Sequence, residues 1–172
     1  MAVTDETQTH APAARAERPP YGAYAGIMGT FAGVLGVAGV LARSLGRDPR
    51  GDTTLDLAVL SFATFKAART ITRDDVTSFI RAPFVEGEAG RGNEEEPIET
   101  GGLQQAMGEL VTCSRCVGTW AAAGLATTQI LAPRFGRLLT WSLAAAGAND
   151  FLQAGFVALT SKSNELEDRV GG

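Results

Sequence analysis

The stretch YGAYAGIMGTFAGVLGVAGVLA, from Tyr21 to Ala42, carries no charged side chain. As an α-helix it would extend about 33 Å, and the hydrocarbon core of a bilayer is about 30 Å thick. The stretch therefore predicts a membrane-spanning helix over residues 21–43. A secretory signal is the alternative, but this apolar run is longer than a usual signal core, and acidic as well as basic residues precede it.

Glycines recur along this predicted helix at spacings of three and four residues. They are Gly22, Gly26, Gly29, Gly33 and Gly36. This spacing places them on one face, where a row without side chains lets a second backbone approach closely in lipid. The row predicts a helix-packing face in a homo-oligomer or a membrane protein complex. General glycine richness without a partner is the alternative.

Composition limits the partners. The chain has 172 residues, enough for one compact domain, a net charge of −4 and no block of basic residues. It is therefore not expected to bind nucleic acid, and its predicted partner is the lipid bilayer. Arginine greatly outnumbers lysine among the 15 basic residues, a bias typical of GC-rich bacterial genomes.

Three further apolar stretches predict spans over residues 54–71, 116–133 and 138–160. In the first of them, Lys66, Arg69 and Arg73 fall on one helical face at one end, where long basic side chains can reach the membrane surface. A helix lying flat on the membrane is the alternative for this stretch. The predicted fold class is all-α, a polytopic membrane protein with about four transmembrane helices in a domain over residues 21–161.

Polar segments surround these stretches. Residues 1–20 lack apolar periodicity and predict a disordered tail, and residues 162–172 predict a polar C-terminal tail. Residues 85–102 are acidic and rich in glycine, so they predict a mobile loop without a site. Just before that loop, Val76, Phe79 and Ile80 predict a short amphipathic helix at the membrane surface, which Pro83 ends.

The distribution of positive charge predicts the orientation. Most of the 15 Lys and Arg residues fall on the side that would hold both termini and the acidic loop. Cytoplasmic loops carry an excess of Lys and Arg. We therefore expect a multi-pass protein of the bacterial cytoplasmic (inner) membrane with both termini in the cytoplasm.

The two cysteines of the chain, Cys113 and Cys116, precede the third stretch. At a helix N-terminus the dipole and free N–H groups stabilise a thiolate, and Arg115 adds positive charge. This arrangement suits a redox pair, although four-helix membrane proteins that exchange disulfides use a second cysteine pair. Structural zinc takes about four ligands, so a zinc ion shared between two chains is another reading. The third is that the cysteines only pack.

Asp150 lies near the middle of the fourth stretch, beside Asn149 and close to Gln153. A charge at the centre of a bilayer costs about 2.5 to 3.5 kcal/mol on insertion scales. These three side chains are therefore candidates for an intramembrane proton- or ion-coupling group. Alternatively, the span ends near Asn149 and Asp150 lies at the interface.

The order of motifs from Leu55 to Leu159 resembles a family of small bacterial integral membrane proteins known as a domain of unknown function. In that family an Asp, Val-Thr and Arg-x-Pro-Phe pattern follows the basic helix. The matching residues here are Asp75, Val76, Thr77, Arg81, Pro83 and Phe84.

The cysteine motif of that family resembles Gly-Glu-Leu-x-Thr-Cys-x-x-Cys-x-Gly-x-Trp. The matching residues are Gly108, Glu109, Leu110, Thr112, Cys113, Cys116, Gly118 and Trp120. Between the cysteines the family usually has Pro and an aromatic residue, whereas this chain has Ser114 and Arg115. The resemblance implies an integral membrane protein and no known activity.

These observations predict a non-enzymatic integral membrane scaffold or anchor that assembles with itself or with a partner protein. The alternative is a membrane thiol–disulfide redox protein that uses Cys113 and Cys116. A weaker alternative is a small proton-coupled component that uses Asp150. Of the three roles for the cysteines, we expect that they fix structure rather than turn over a substrate.

Overall fold

The computed structural model describes residues 19–47, 53–87 and 95–171, and within them it confirms the all-α class. The helices are α1 (Tyr21–Ser44), α2 (Thr54–Arg73), α3 (Ser78–Arg81), α4 (Leu103–Thr112), α5 (Ser114–Leu131) and α6 (Pro133–Gly171). A 3-10 turn, Asp75–Thr77, joins α2 to α3. Two short strands, β1 (Val85–Glu86) and β2 (Glu96–Pro97), pair antiparallel between α3 and α4.

Helix α2 is the centre of the bundle, with α5 and α6 packed against it. It begins at a capping box, in which the Thr53 hydroxyl accepts from the Asp56 N–H and the Asp56 carboxylate accepts from the Thr53 N–H at 2.9 Å. The buried core is formed by Ala63 of α2, Leu125 of α5 and Ala144 of α6. The small side chains of Ala63 and Ala144 let α2 and α6 approach closely.

Gly147 fixes the distance between α2 and α6. A Cβ atom at this position would lie 2.7 Å from the carbonyl oxygen of Phe62 and 3.3 Å from the Cβ of Lys66. Only glycine leaves enough room for α6 to lie this close to the backbone of α2. The glycine of the AGANDFLQ stretch is therefore required by packing.

The polar segment at the C-terminal end of the chain is helical. Helix α6 has 39 residues and continues to Gly171, through the segment predicted as a polar tail. Glu165 stabilises this end, since it pairs with Lys162 at 2.9 Å and with Arg169. The predicted N-terminal tail lies outside the described residues except for Pro19 and Pro20.

Among the described helices, α1 is the one that is long and apolar enough to cross a membrane by length and composition. A signal sequence passes the same test, so this is a weak indication of a membrane. Helices α2, α5 and α6 fall below that criterion. Charged residues interrupt α2, and α5 and much of α6 are built from Ala, Gly and Thr rather than Leu and Ile.

Candidate functional site

The two cysteines lie at a one-residue break between α4 and α5. Cys113 has an extended backbone and is the N-cap of α5, because its Sγ accepts a hydrogen bond from the Cys116 N–H at 3.3 Å. Both thiols are free. Cys113 is partly buried, whereas Cys116 is exposed on the first turn of α5.

The surroundings of Cys113 favour its thiolate. A hydrogen bond from the Cys116 thiol lowers the pKa of the Cys113 thiol, and the backbone N–H groups of Cys116 and Arg115 lower it further. The positive charge of Arg115 acts in the same direction, and burial opposes it. Because the thiolate is the nucleophile, these contacts make Cys113 the more reactive thiol near neutral pH.

Ser114 attaches the cysteine turn to α2. Its Oγ lies 2.8 Å from Oγ1 of Thr72, a residue that is buried. Thr72 donates its own hydroxyl hydrogen to the Ala68 carbonyl, so Ser114 is the donor to Thr72. One turn later, Gly118 lies against Ala68. The turn is thus fixed in position by the C-terminal half of α2.

Cys116 lines a cavity of about 350 Å³ between α1, α4 and α5. Most of the wall is apolar, and the rings of Phe31 and Trp120 meet edge to face with centroids 4.9 Å apart. The polar part of the wall comes from Tyr24, whose hydroxyl donates to Oε2 of Glu109. Gln105 donates to Oε1 of the same carboxylate at 3.0 Å, so protein donors occupy both oxygens.

Gly108 brings the two sequence motifs together. A Cβ atom here would lie 2.5 Å from the carbonyl oxygen of Phe84 and 3.0 Å from Pro97. Phe84 ends the Arg-x-Pro-Phe motif, and Gly108 begins the cysteine motif. Close contact between α4 and the β-hairpin therefore requires glycine at the start of the second motif.

Arg81 is buried with 0% of its side chain exposed, and it pairs with Glu95, of which 1% is exposed. Its Nε and Nη2 donate to the two carboxylate oxygens at 2.6 and 3.1 Å. Its Nη1 donates to the carbonyl oxygens of Ile71 and Asp74 at 2.8 and 3.1 Å. Arg81 therefore ties the C-terminal end of α2 to the acidic segment.

Glu95 belongs to the segment predicted as a mobile loop without a site, residues 85–102. In the described part of that range, Glu95 is a buried partner of Arg81 and the backbone forms the β-hairpin. A buried carboxylate must be paired, because removing it from water without a partner is costly. The acidic segment thus contributes one charge to the interior.

Asp150 pairs with Lys66 across the contact between α6 and α2. The distance from Nζ to Oδ2 is 3.0 Å, and the side chains are 22% and 32% exposed for Lys66 and Asp150. The ring of Phe151 packs beside this pair against Phe65, at a centroid distance of 4.9 Å. Asn149 and Gln153 are exposed on α6.

The glycine row of α1 lies on the face turned away from the bundle. An added Cβ atom would meet nothing within 4 Å at Gly22, Gly26, Gly29, Gly33 or Gly36. The opposite face carries Tyr24 and Phe31, which contact α4 and α5. The packing partner predicted for this row is therefore not a helix in the described part of the same chain.

Side chains that could ligate a metal ion are few around the cysteines in the described part of the chain. In the ranges that the structure describes, no group of three or more His, Cys, Asp or Glu side chains could hold a metal ion. Cys113 and Cys116 supply two thiolates, fewer than the four ligands of structural zinc. A zinc ion on these cysteines would need a second chain, so the shared site remains a prediction.

Comparison with known proteins identifies relatives of the central part of the chain. The family described as "Protein of unknown function (DUF1360)" matches residues 59–156, from within α2 to within α6. Sporulation protein YjcA of Bacillus subtilis (strain 168) is 33% identical over 98 residues, which cover 54% of this chain and 83% of YjcA. UPF0713 protein YngL of the same organism is 27% identical over 99 residues, which cover 58% of this chain and 76% of YngL. No solved structure matches.

Proposed function

We propose that this chain, which belongs to the DUF1360 family of proteins of unknown function, is an integral membrane scaffold or anchor that assembles with a second copy of itself through α1. The observation that carries the proposal is the open glycine row on the outer face of α1. The fold provides a helix whose inner side is already packed and whose outer side is free to pack.

The two faces of α1 have different chemistry. The inner face reaches the bundle through large side chains, including Tyr24 and Phe31. The outer face has a row of five glycines over about four helical turns, and van der Waals contact between backbones drives helix association in lipid. Because a second α1 would present the same bare row, self-association buries two equivalent surfaces in one symmetric contact.

The rest of the surface supports a membrane environment. Large apolar side chains are exposed on α6, where Leu152 is 72% and Leu159 is 73% exposed. Val76 and Phe79, next to the end of α2, are 74% and 72% exposed. Exposed apolar side chains of this size favour a cover of lipid or protein. In the proposed architecture, spans 21–43, 54–71, 116–133 and 138–160 cross the inner membrane with both termini in the cytoplasm.

The Lys66–Asp150 pair is compatible with this arrangement. Ionisable side chains within a membrane face the interior of a bundle and pair with one another. Each partner here neutralises the other at the contact between α2 and α6. Pairing therefore lowers the cost of passing these two charges through lipid.

The proposal is tested by the mass of the full chain in detergent micelles and lipid nanodiscs. Gly33→Leu places a side chain on the outer row, and we expect it to weaken self-association at least tenfold. Gly39→Leu is the matched control, because Gly39 lines a small cavity of about 210 Å³ that faces α5. A monomeric wild-type chain in lipid, or equal weakening by both substitutions, would contradict the proposal.

A further inference from the structure

The cavity between α1, α4 and α5 has no role in self-association, since it opens on the inner face of α1. Its volume of about 350 Å³ is in the range of small-molecule sites, which are mostly apolar with a few placed polar groups. Phe31 and Trp120 supply aromatic surface, and Tyr24 and Glu109 supply the polar groups. This lining suits a flat ring that carries an oxygen atom.

The cysteines add a chemical function to this cavity. Cys116 lines it, and Cys113 lies one helical turn away with its Sγ on the N–H of Cys116. Both are free thiols. A dithiol in this position is a two-electron donor at the wall of an apolar cavity.

We propose that this cavity binds the ring of a quinone and that the Cys113–Cys116 dithiol reduces it to the hydroquinone. The inference goes beyond the scaffold role and does not depend on it, and it departs from the expectation, drawn from the sequence, that the two cysteines only fix structure. A flat apolar ring matches the aromatic walls of Phe31 and Trp120 better than a purely aliphatic chain would. A quinone is also the ligand class to which a dithiol can pass two electrons.

The reaction balances without a further oxidant. The two S–H bonds break and one S–S bond forms between Cys113 and Cys116. Two electrons and two protons pass to the quinone, whose two carbonyl oxygens become hydroxyl groups. Tyr24 gives its hydroxyl hydrogen to Glu109, so its oxygen is an acceptor on the cavity wall, and its proposed role is to accept a hydrogen bond from one hydroxyl group of the hydroquinone. A small soluble dithiol would then restore the free thiols by exchange.

Binding can be measured with tetramethyl-1,4-benzoquinone, because its ring has no unsubstituted carbon for a thiol to alkylate. The experiment uses the full chain with the substitution Trp141→Phe, which leaves Trp120 as the only tryptophan. We expect saturable quenching of Trp120 fluorescence and, in the reduced chain, the loss of two thiols for each hydroquinone formed. The rate should saturate with quinone concentration, whereas a reaction outside a site would rise linearly.

Two substitutions on α5 form a matched pair. Thr119 is exposed and lines the proposed site, so Thr119→Trp should fill it and weaken quinone binding at least tenfold. Thr127 lines the neighbouring cavity of about 210 Å³, so Thr127→Trp should leave binding within about twofold. For Thr119→Trp and Thr127→Trp, binding is measured by competition with a fluorescent quinone. Quenching of Trp120 fluorescence cannot be used for these variants, because each of them adds a second tryptophan.

The thiols are tested separately from the cavity. Cys113→Ser should retain quinone binding and abolish hydroquinone formation. The proposal is overturned by linear kinetics without saturation, by equal loss of binding in Thr119→Trp and Thr127→Trp, or by purified protein whose thiols hold zinc at one ion per two chains. Gly33→Leu distinguishes the two proposals, because it should change the oligomer and leave quinone binding intact.

Discussion

Two ion pairs on α2 or next to it, Arg81–Glu95 and Lys66–Asp150, are built differently. Arg81 and Glu95 are 0% and 1% exposed, and Arg81 also donates to the carbonyl oxygens of Ile71 and Asp74. Lys66 and Asp150 are 22% and 32% exposed, and a single hydrogen bond of 3.0 Å joins them. The first pair is part of a network, whereas the second is a contact between two helix surfaces.

The difference shows what each pair does for the fold. The Arg81 network joins the end of α2, the 3-10 turn and the segment at the hairpin through hydrogen bonds to Ile71, Asp74 and Glu95. Lys66 and Asp150 join two helices that Ala63, Ala144 and the close approach at Gly147 already hold together. Loss of the first pair should therefore damage the fold more than loss of the second.

The largest effect is expected from Arg81→Met. It removes the buried cation that faces the Glu95 carboxylate and the donors to two carbonyl oxygens. Breaking a buried ion pair on one side typically costs about 3 to 5 kcal/mol. The measurement is the free energy of unfolding in detergent, with Arg169→Met as the control, because Arg169 is 66% exposed. A loss no larger than that of the control would show that the network is not needed.

The second effect is expected from Lys66→Met in lipid nanodiscs. It leaves Asp150 unpaired between α2 and α6, and an unpaired charge within a bilayer costs about 2.5 to 3.5 kcal/mol. The double substitution with Asp150→Leu should recover most of this loss, because no charge remains. A loss below about 1 kcal/mol is typical of pairs in water and would place this contact outside the membrane.

The third effect tests the packing next to that pair. Gly147→Ala places a Cβ atom 2.7 Å from the Phe62 carbonyl oxygen, and overpacking of this kind costs about 1 to 3 kcal/mol. Gly155→Ala on the same helix meets nothing within 4 Å and should stabilise the chain by up to about 1 kcal/mol, because alanine is the better helix former. Thermal unfolding of the two variants should therefore shift in opposite directions.

The sequence predicts the helical class because apolar residues dominate long stretches without strand alternation. It does not predict which acidic side chain is buried, since residues 94–96 are all glutamate and only the position of the hairpin selects Glu95. Helix α4 gives no start signal, because its N-cap is Gly102 without a side-chain hydrogen bond.

The candidate site depends on contacts between distant parts of the chain. The spacing of Cys113 and Cys116 predicts a pair at a helix N-terminus. The hydrogen bond between Tyr24 and Glu109 joins residues 85 positions apart, and Lys66 and Asp150 are 84 apart. No local pattern encodes such pairs, because the packing angles of the helices decide which side chains meet. The cavity could therefore be found in the structure and not in the sequence.

The smallest effect concerns Cys113, a polar group at a helix end that, unlike Arg81, is only partly buried. Because its pKa is lowered chiefly by the Cys116 thiol, its alkylation should reach half-maximal rate at a pH below the value of about 8.5 for free cysteine. Cys116→Ala removes the donor and should move the midpoint up towards that value. Cys116→Ser keeps a hydroxyl donor and should retain most of the lowering.

The linked change in stability has a defined sign. A group whose folded-state pKa is lowered contributes stability above its unfolded pKa, and the contribution is lost as the pH falls through the folded pKa. The unfolding midpoint of the wild type should therefore rise slightly relative to Cys113→Ser between neutral pH and about pH 9. Site-resolved alkylation followed by mass spectrometry measures the first effect, and thermal unfolding measures the second. If the pH of half-maximal alkylation of Cys113 were the same in the wild type and in Cys116→Ala, the neighbouring thiol would have no effect on the pKa of Cys113. The dipole at the helix end would then account for the lowered pKa.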